Sequence, residues 1–438
     1  MRKGSAACQH GPARPQEACN SEPLTRPILD RHTWGMGVTH SSSQESVPTS
    51  DIDLWTDSAL RSPYDLWSEL RATAPAVYMP KYDLWALPRY AEVREALKNW
   101  EVFSSASGVT LNERMNRILA GGTLCSDPPA HQVLRGIVRR PLTPRELKDL
   151  EPEIQLEADR LVDGLIARET FDAVADLARH LPLTMVSTRV GLPEDGRENM
   201  LEWAAANFNC FGPMNQRARE SFPTLEEGVR YSFDPSLPDR LTPGGWAARL
   251  WQAADAGEIA PEQCAAMLND YWGPSLDTTI FATASAIWFF AQRPSQWDIL
   301  REDRSLIPHA INEVVRLESP IPQFSRLTTR DYEVEGVTIP KGSRVLVMFG
   351  SANRDERKWP HAECFDIRRK PSDHLGFGHG EHACVGMPLA RMEIRALLTA
   401  LARRVHRFEL VSEERAINNM LRGFARLNVA VRTDKPRG

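Results

Sequence analysis

The 438-residue sequence predicts a mainly α-helical single domain with small peripheral β-sheets. Three observations carry this. Residues 140–300 are almost entirely helix formers, most clearly in "PRELKDLEPEIQLEADRLVDGLIA". Strand-like segments are few and short, and they flank that block: "AVYMP", "DLWALPR", "YEVEGVTIP" and "GSRVLVMFG". Hydrophobic residues at 42% and charged residues at 25% are ordinary for a globular chain. No apolar run reaches the roughly 18–20 residues of a membrane span.

Along the chain, residues 1–50 are rich in Ser, Thr, Pro, Gln and Gly without periodicity and read as a mobile tail. Met36 lies late in it and is a second candidate start; no apolar signal segment precedes it. Order begins at "SPYDLWSELRA", with Ser62 as the cap, Pro63 in the first helical position, and Tyr64, Leu66, Trp67 and Leu70 at helical spacing. "AVYMP" and "DLWALPR" make a short hairpin, followed by the helix "YAEVREALKNW". A run of over thirty residues, "PEQCAAMLNDYWGPSLDTTIFATASAIWFFAQRP", predicts one long central helix. Pro274 cannot donate to the Asp270 carbonyl, so that helix opens at this turn. The "YEVEGVTIP" strand ends in a Pro-Lys-Gly turn. The net charge of −5 gives no reason to expect nucleic acid or an anionic membrane as partner. Seven scattered cysteines do not form a disulfide framework, and a reducing, cytoplasmic setting is expected.

One segment concentrates chemistry: "HLGFGHGEHACVG", residues 374–386. Pro388 and the run "LARMEIRALLTALARRV" place Cys384 just before a helix N-terminus, where free amides and the helix dipole favour a thiolate. Gly378, Gly380 and Gly386 permit tight turns and close approach to a flat ligand. His379, His382 and Cys384 could instead hold zinc, although no second cysteine lies nearby to give the usual Cys-x2-Cys pairing. A plain buried cysteine is the third reading. On local pattern alone the three stand side by side.

The loop resembles the haem-binding segment of the cytochromes P450, with Phe377, Gly380, His382, Cys384 and Gly386 at the family's offsets. Further segments match in order. "INEVVR" supplies Glu313 and Arg316 of the Glu-x-x-Arg pattern, and "FDIRR" supplies Arg369 of the same buried charge network. "SDPPAHQVLRGIVRR" supplies His131 and Arg135, one helical turn apart. The resemblance spans residues 51–438 and implies a P450 fold binding haem b. Cys384 is then the iron ligand, and His131, Arg135, Arg326 and His382 are the propionate partners. His374 and His379 receive no role. Asp277 and Thr278 match the family's acid–alcohol pair: the thiolate promotes O–O cleavage, Thr278 holds oxygen and water, and Asp277 relays protons. Pro274 and Ser275 depart from the family's Ala/Gly-Gly at this point.

Within the family the chain is most similar to bacterial monooxygenases of para-substituted benzoates, through "VFSSASGVTLNE", "NFNCFGPMN", "GSANRDERKW" and "NNMLRGF". Phe208, Phe211 and Phe324 would line a flat aromatic pocket. Where that group holds the carboxylate with an arginine and a serine, this chain has Ser107 and Asp270. Losing a cation and gaining an anion disfavours a benzoate, which stays the runner-up, and predicts a small phenolic, methoxylated, otherwise uncharged or cationic aromatic. Hydroxylation or O-demethylation would then draw electrons from NAD(P)H through a reductase and an iron–sulfur ferredoxin. Arg139, Arg140, Arg145 and Lys148 would form the basic dock of a monomeric enzyme. A peroxide-driven oxygenase and a haem-thiolate sensor are the alternatives, and a sensor would have little need of Asp277-Thr278.

Overall fold

The computed structural model describes residues 47–433. Residues 1–46 of the tail expected over 1–50, and with them the Met36 start, lie outside the described residues. The last residues of that tail do not trail free. Ser50 N donates to Tyr78 O at 2.9 Å and Tyr78 N to Pro48 O at 2.8 Å, so the paired chain starts several residues earlier than expected. The first helical boundary also shifts. Ser62 ends a short helix, Asp57–Arg61, and Pro63 is the N-cap of the next, Tyr64–Thr73.

The hairpin expected at "AVYMP" and "DLWALPR" forms from Val77–Met79 and Leu84–Leu87 and opens a five-stranded sheet. Its spatial order continues through Arg344–Val347, Phe324–Thr328 and Phe103–Ser104. Only the contact of Leu84–Leu87 with Arg344–Val347 is parallel. Alternation along Phe324–Thr328 puts Phe324 and Arg326 on one face, and both reach the central cavity. "YEVEGVTIP" is itself a hairpin, Tyr332–Val334 with Val337–Ile339, turned by Glu335 and Gly336 at φ 47° and 82°. A third sheet, absent from the sequence reading, pairs Thr170–Asp172, Phe424–Thr433 and Val405–Arg415.

The long central helix is two helices. Pro261–Trp272 stops, and Asp277–Gln292 restarts after Gly273–Leu276. Side-chain hydroxyls serve carbonyls at the break: Ser275 Oγ donates to Tyr271 O, and Thr278 Oγ1 to Pro274 O at 2.9 Å. The proline effect is thus larger than one opened turn. The Asp277–Gln292 helix is buried on nearly all sides and packs against Ile307–Glu318 and Met387–Arg404. Above it, Asn419 bonds Asn209 and Asn215, and Leu111 N donates to Phe211 O at 3.0 Å. These contacts secure the segment carrying Phe208 and Phe211.

One buried cluster ties the periphery together. Glu318, fully buried, accepts from Tyr64 Oη at 2.6 Å and from Arg415 at 2.6 Å, with Arg422 at 3.5 Å and Arg354 at 3.7 Å. Burial pushes this carboxyl up, but Arg422, Arg415 and Arg354 together outweigh it and bring it to about 2. Glu318→Gln leaves Arg415 and Arg422 without a carboxylate partner, Arg354 keeping Glu363, and is expected to cost about 3–5 kcal/mol in denaturant unfolding. A carboxyl lowered from 4.5 contributes its full stability above that value and loses it as pH falls toward about 2. The gap between wild type and variant should therefore close below about pH 4.

Candidate active site

The floor of the site is the loop running into the Met387–Arg404 helix. Gly380 has φ 69°, and a Cβ there would lie 2.5 Å from Leu97 O. Only glycine lets the loop lie against the Tyr90–Lys98 helix. Cys384 N donates back to Phe377 O at 2.7 Å, closing the turn, and Cys384 faces the cavity. Burial pushes its thiol above the ordinary value; the Gly386 and Met387 amides, Arg135 and Arg391 act against that. A thiol so placed becomes a thiolate on binding a metal ion.

Behind the loop, Arg316 forks onto Glu313 at 2.8 and 2.9 Å, both fully buried. Arg369 Nε donates to the same carboxylate at 3.0 Å. Arg316 Nη1 reaches the carbonyls of Asn353 (2.7 Å) and Ala362 (2.8 Å). Asn353 Oδ1 then accepts from Leu375 N at 2.7 Å, so the network ends on the cysteine loop itself.

A cavity of about 250 Å³ lies above Cys384. One wall gathers His131, Arg135, Arg326 and His382. The two imidazoles stand 4.2 Å apart, and His131 Nδ1 and Nε2 and His382 Nε2 are buried with no partner among the described residues. Burial and neighbouring guanidiniums hold His131 below the ordinary histidine value and press His382 down to about 2. Burial lowers Arg326 to about 10, and its Nη1 donates to Ser325 O at 2.7 Å. Arg135 donates to Ala383 O. Orphaned donors of this kind, beside a lone thiol, fit a ligand carrying carboxylates and a metal, as haem does. Among the described residues no three His, Cys, Asp or Glu side chains assemble as a metal site, so the zinc reading lacks its ligands.

The other walls hold Phe208, Phe211 and Phe324, with ring centroids 5.4 and 6.0 Å apart in that order. Asp270 joins them, accepting from Thr123 N at 3.3 Å; burial raises its carboxyl to about 6 against the Thr123 bonds. Thr278 lines the cavity, whereas Asp277 is buried beside it with Oδ2 unpartnered among the described residues. Burial lifts Asp277 to about 7, with Arg179 pulling it down.

Two expectations are corrected. Ser107 is exposed and does not line the cavity; its carbonyl accepts from Arg344 at 3.2 Å, on a loop that turns at Gly108 with φ 93°. Arg140 is not a free dock charge, because Glu258 holds it. His374, given no role from sequence, accepts from Gly376 N at 3.1 Å and shapes the loop. Sequence reasoning missed Arg391, two turns beyond the cysteine on its own helix, and the cavity residues Glu393, Asn207 and Asn269. Glu393 is pushed up to about 8 by burial. Its signal, an acid within the apolar run after Cys384, was available.

A family model for cytochrome P450 matches residues 275–435. Cytochrome P450 CYP199A2 of Rhodopseudomonas palustris is 37% identical over 90% of this chain and 96% of that protein. Linalool 8-monooxygenase of Pseudomonas putida is 31% identical, covering 86% and 97% respectively. Among solved structures, P450BioI in complex with an acyl carrier protein ligated to hexadec-9Z-enoic acid superposes with a TM-score of 0.77 at 25% identity. That match covers 86% of this chain and 99% of P450BioI. Cytochrome P450 CREJ in complex with (4-ethylphenyl) dihydrogen phosphate gives 0.75 at 26%, over 85% and 98%. Kinship over nearly the full length of these enzymes, together with the lone cysteine beneath a wall of orphaned donors, makes the chain a member of the cytochrome P450 family, a haem monooxygenase.

Proposed function

We propose that this monooxygenase acts on a small aromatic compound without a carboxylate, by hydroxylation or O-demethylation, with electrons from an iron–sulfur ferredoxin and its NAD(P)H reductase. The observation that carries the reading is Asp270 in the same cavity as Phe208, Phe211 and Phe324. Flat apolar rings favour an aromatic guest. With its carboxyl at about 6, Asp270 is mostly anionic at neutral pH and repels a benzoate. The cavity's guanidiniums, Arg135 and Arg326, stand on the wall with His131 and His382, and the groups acting on the Asp270 carboxyl are burial and Thr123 alone.

Cys384 would ligate the iron and His131, Arg135, Arg326 and His382 would hold the propionates. The bound haem supplies dioxygen activation, assisted by thiolate electron donation. Asp277 acts as the proton store. A carboxyl near 7 both takes up and releases protons at working pH, and its unpartnered Oδ2 leaves room for that exchange. Thr278 directs its hydroxyl proton to Pro274 O, which leaves the Oγ1 lone pairs free to accept. For the ferredoxin, the exposed Arg139 ends the helix that carries His131 and Arg135, and the exposed Arg145 and Lys148 follow it, which supports a basic dock beside the site.

Four experiments test this. In Soret titrations, neutral methoxybenzenes and phenols should shift the spin state and 4-methoxybenzoate should not. Tight benzoate binding with silent neutral analogues would overturn the substrate reading. Cys384→Ser should lose the thiolate-type band of the reduced carbon monoxide complex. His131→Ala should keep that band but release haem to an acceptor globin about tenfold faster or more. Asp277→Asn should slow turnover by about 10²-fold. It should also change stability with a definite sign, because a carboxyl raised from 3.8 to about 7 makes the wild type lose stability as pH rises through that window. The variant should match wild type near pH 4 in denaturant unfolding and exceed it above pH 7 by about 2–4 kcal/mol.

A further inference from the structure

We infer that the cavity contains a recognition subsite for a hydrogen-bond-donating head group, a phenolic hydroxyl or a protonated amine, built from Asn207, Asn269 and Asp270. The inference rests on the aromatic reading above and states which end of the ring compound the protein recognises, and how.

The two amides come from different helices. Asn207 ends Glu194–Asn209 beside Phe208, and Asn269 precedes Asp270 in the last turn of Pro261–Trp272. They converge on Gly273, where a Cβ would lie 2.7 Å from Asn269 Oδ1 and 3.1 Å from Asn207 Nδ2. The glycine at the helix break makes room for both. All three side chains line the cavity. The Oδ1 atoms of both asparagines are buried and have no partner among the described residues. Asp270 has Thr123 as its only hydrogen-bond partner there, through the backbone N at 3.3 Å and the side chain beside it, although a carboxylate can accept several more. Pro274, without an N–H, also leaves the Asp270 carbonyl lacking its helical donor.

Native interiors rarely leave this many acceptors unmet, and an arriving donor completes them once the amides turn their oxygens toward the cavity. An amide can turn either its oxygen or its nitrogen toward a guest, so the asparagines alone would be indifferent to the guest's polarity. Asp270 sets the sign: it accepts from a donor and repels a guest that only accepts. The phenylalanine walls hold the ring while this cluster holds its head. A site built to meet a donor rejects an analogue that lacks it far more strongly than an apolar pocket rejects a missing methyl.

The test is Soret titration of the full-length holoprotein with 4-methylphenol, 4-methylbenzylamine and p-xylene, which keep the ring and one methyl and vary the head. Each variant is first checked for an intact carbon monoxide band. Both donor compounds should bind about tenfold or more tighter than p-xylene. In Asn207→Leu, Asn269→Leu and Asp270→Leu that advantage should fall to within about threefold, with p-xylene binding equal or better. Gly273→Ala, which displaces both amides, should reduce it as well. Equal affinity of the three compounds for wild type would overturn the inference, as would a donor preference that survives in all three leucine variants. Silence of every aromatic on a wild type with a normal band would instead remove the aromatic reading beneath it.

Discussion

The geometry at the cysteine depends on one buried ion pair. Glu313 and Arg316 are fully enclosed on the Ile307–Glu318 helix, and each satisfies more than the other. Arg316 spends its remaining donors on the carbonyls of the meander that precedes the cysteine loop. Glu313 accepts from Asp366 N at 3.2 Å and from Arg369. Through Asn353 the network ends on Leu375 N, where the loop begins. Such a pair adds little net stability, since desolvation consumes most of the attraction. What it provides is position. The carbonyls it captures cannot shift without stranding a charge, so the loop that presents Cys384 is held from behind as its glycines seat it against the neighbouring helix in front.

From that floor the cavity divides by chemistry. The basic wall carries imidazole nitrogens with no partner among the described residues, and the opposite region, around the helix break, carries amide oxygens equally unpartnered. Each end is incomplete alone, so each is suited to a different guest. The break between Trp272 and Asp277 serves both the distal chemistry and the head-group region. It frees Thr278 to bond Pro274 O, starts the helix that buries Asp277, and opens the space at Gly273 into which the two asparagines lean.

Much of this was legible in the sequence where a local rule operates. Gly378, Gly380 and Gly386 around Cys384 announced a turn before a helix, and the Glu-x-x-Arg spacing put two charges on one face. Pro274 announced an interruption, although its extent was decided by hydroxyls that take over the carbonyls. The Val405–Arg415 and Phe424–Thr433 pair escaped because its first strand follows Arg404 directly, with no Gly or Pro to mark the end of the helix. Ser107 was misplaced because the left-handed turn at Gly108 and the hold of Arg344 on its carbonyl decide where that loop faces. Asn207 and Asn269 look like ordinary polar helix residues until the fold brings two helices together over a cavity. Tertiary convergence of that kind leaves no trace in local pattern.

The central claim is that this chain inserts one atom of dioxygen into a small aromatic whose head group carries no carboxylate. Turnover of 4-methylphenol under isotopically labelled dioxygen, with NAD(P)H, a reductase and a ferredoxin, tests it directly by mass spectrometry of the product. The account predicts a hydroxylated product carrying a single labelled oxygen, formed in proportion to the NAD(P)H consumed. Oxygen drawn from water, or NAD(P)H consumption that yields only peroxide and no oxygenated aromatic, would contradict it.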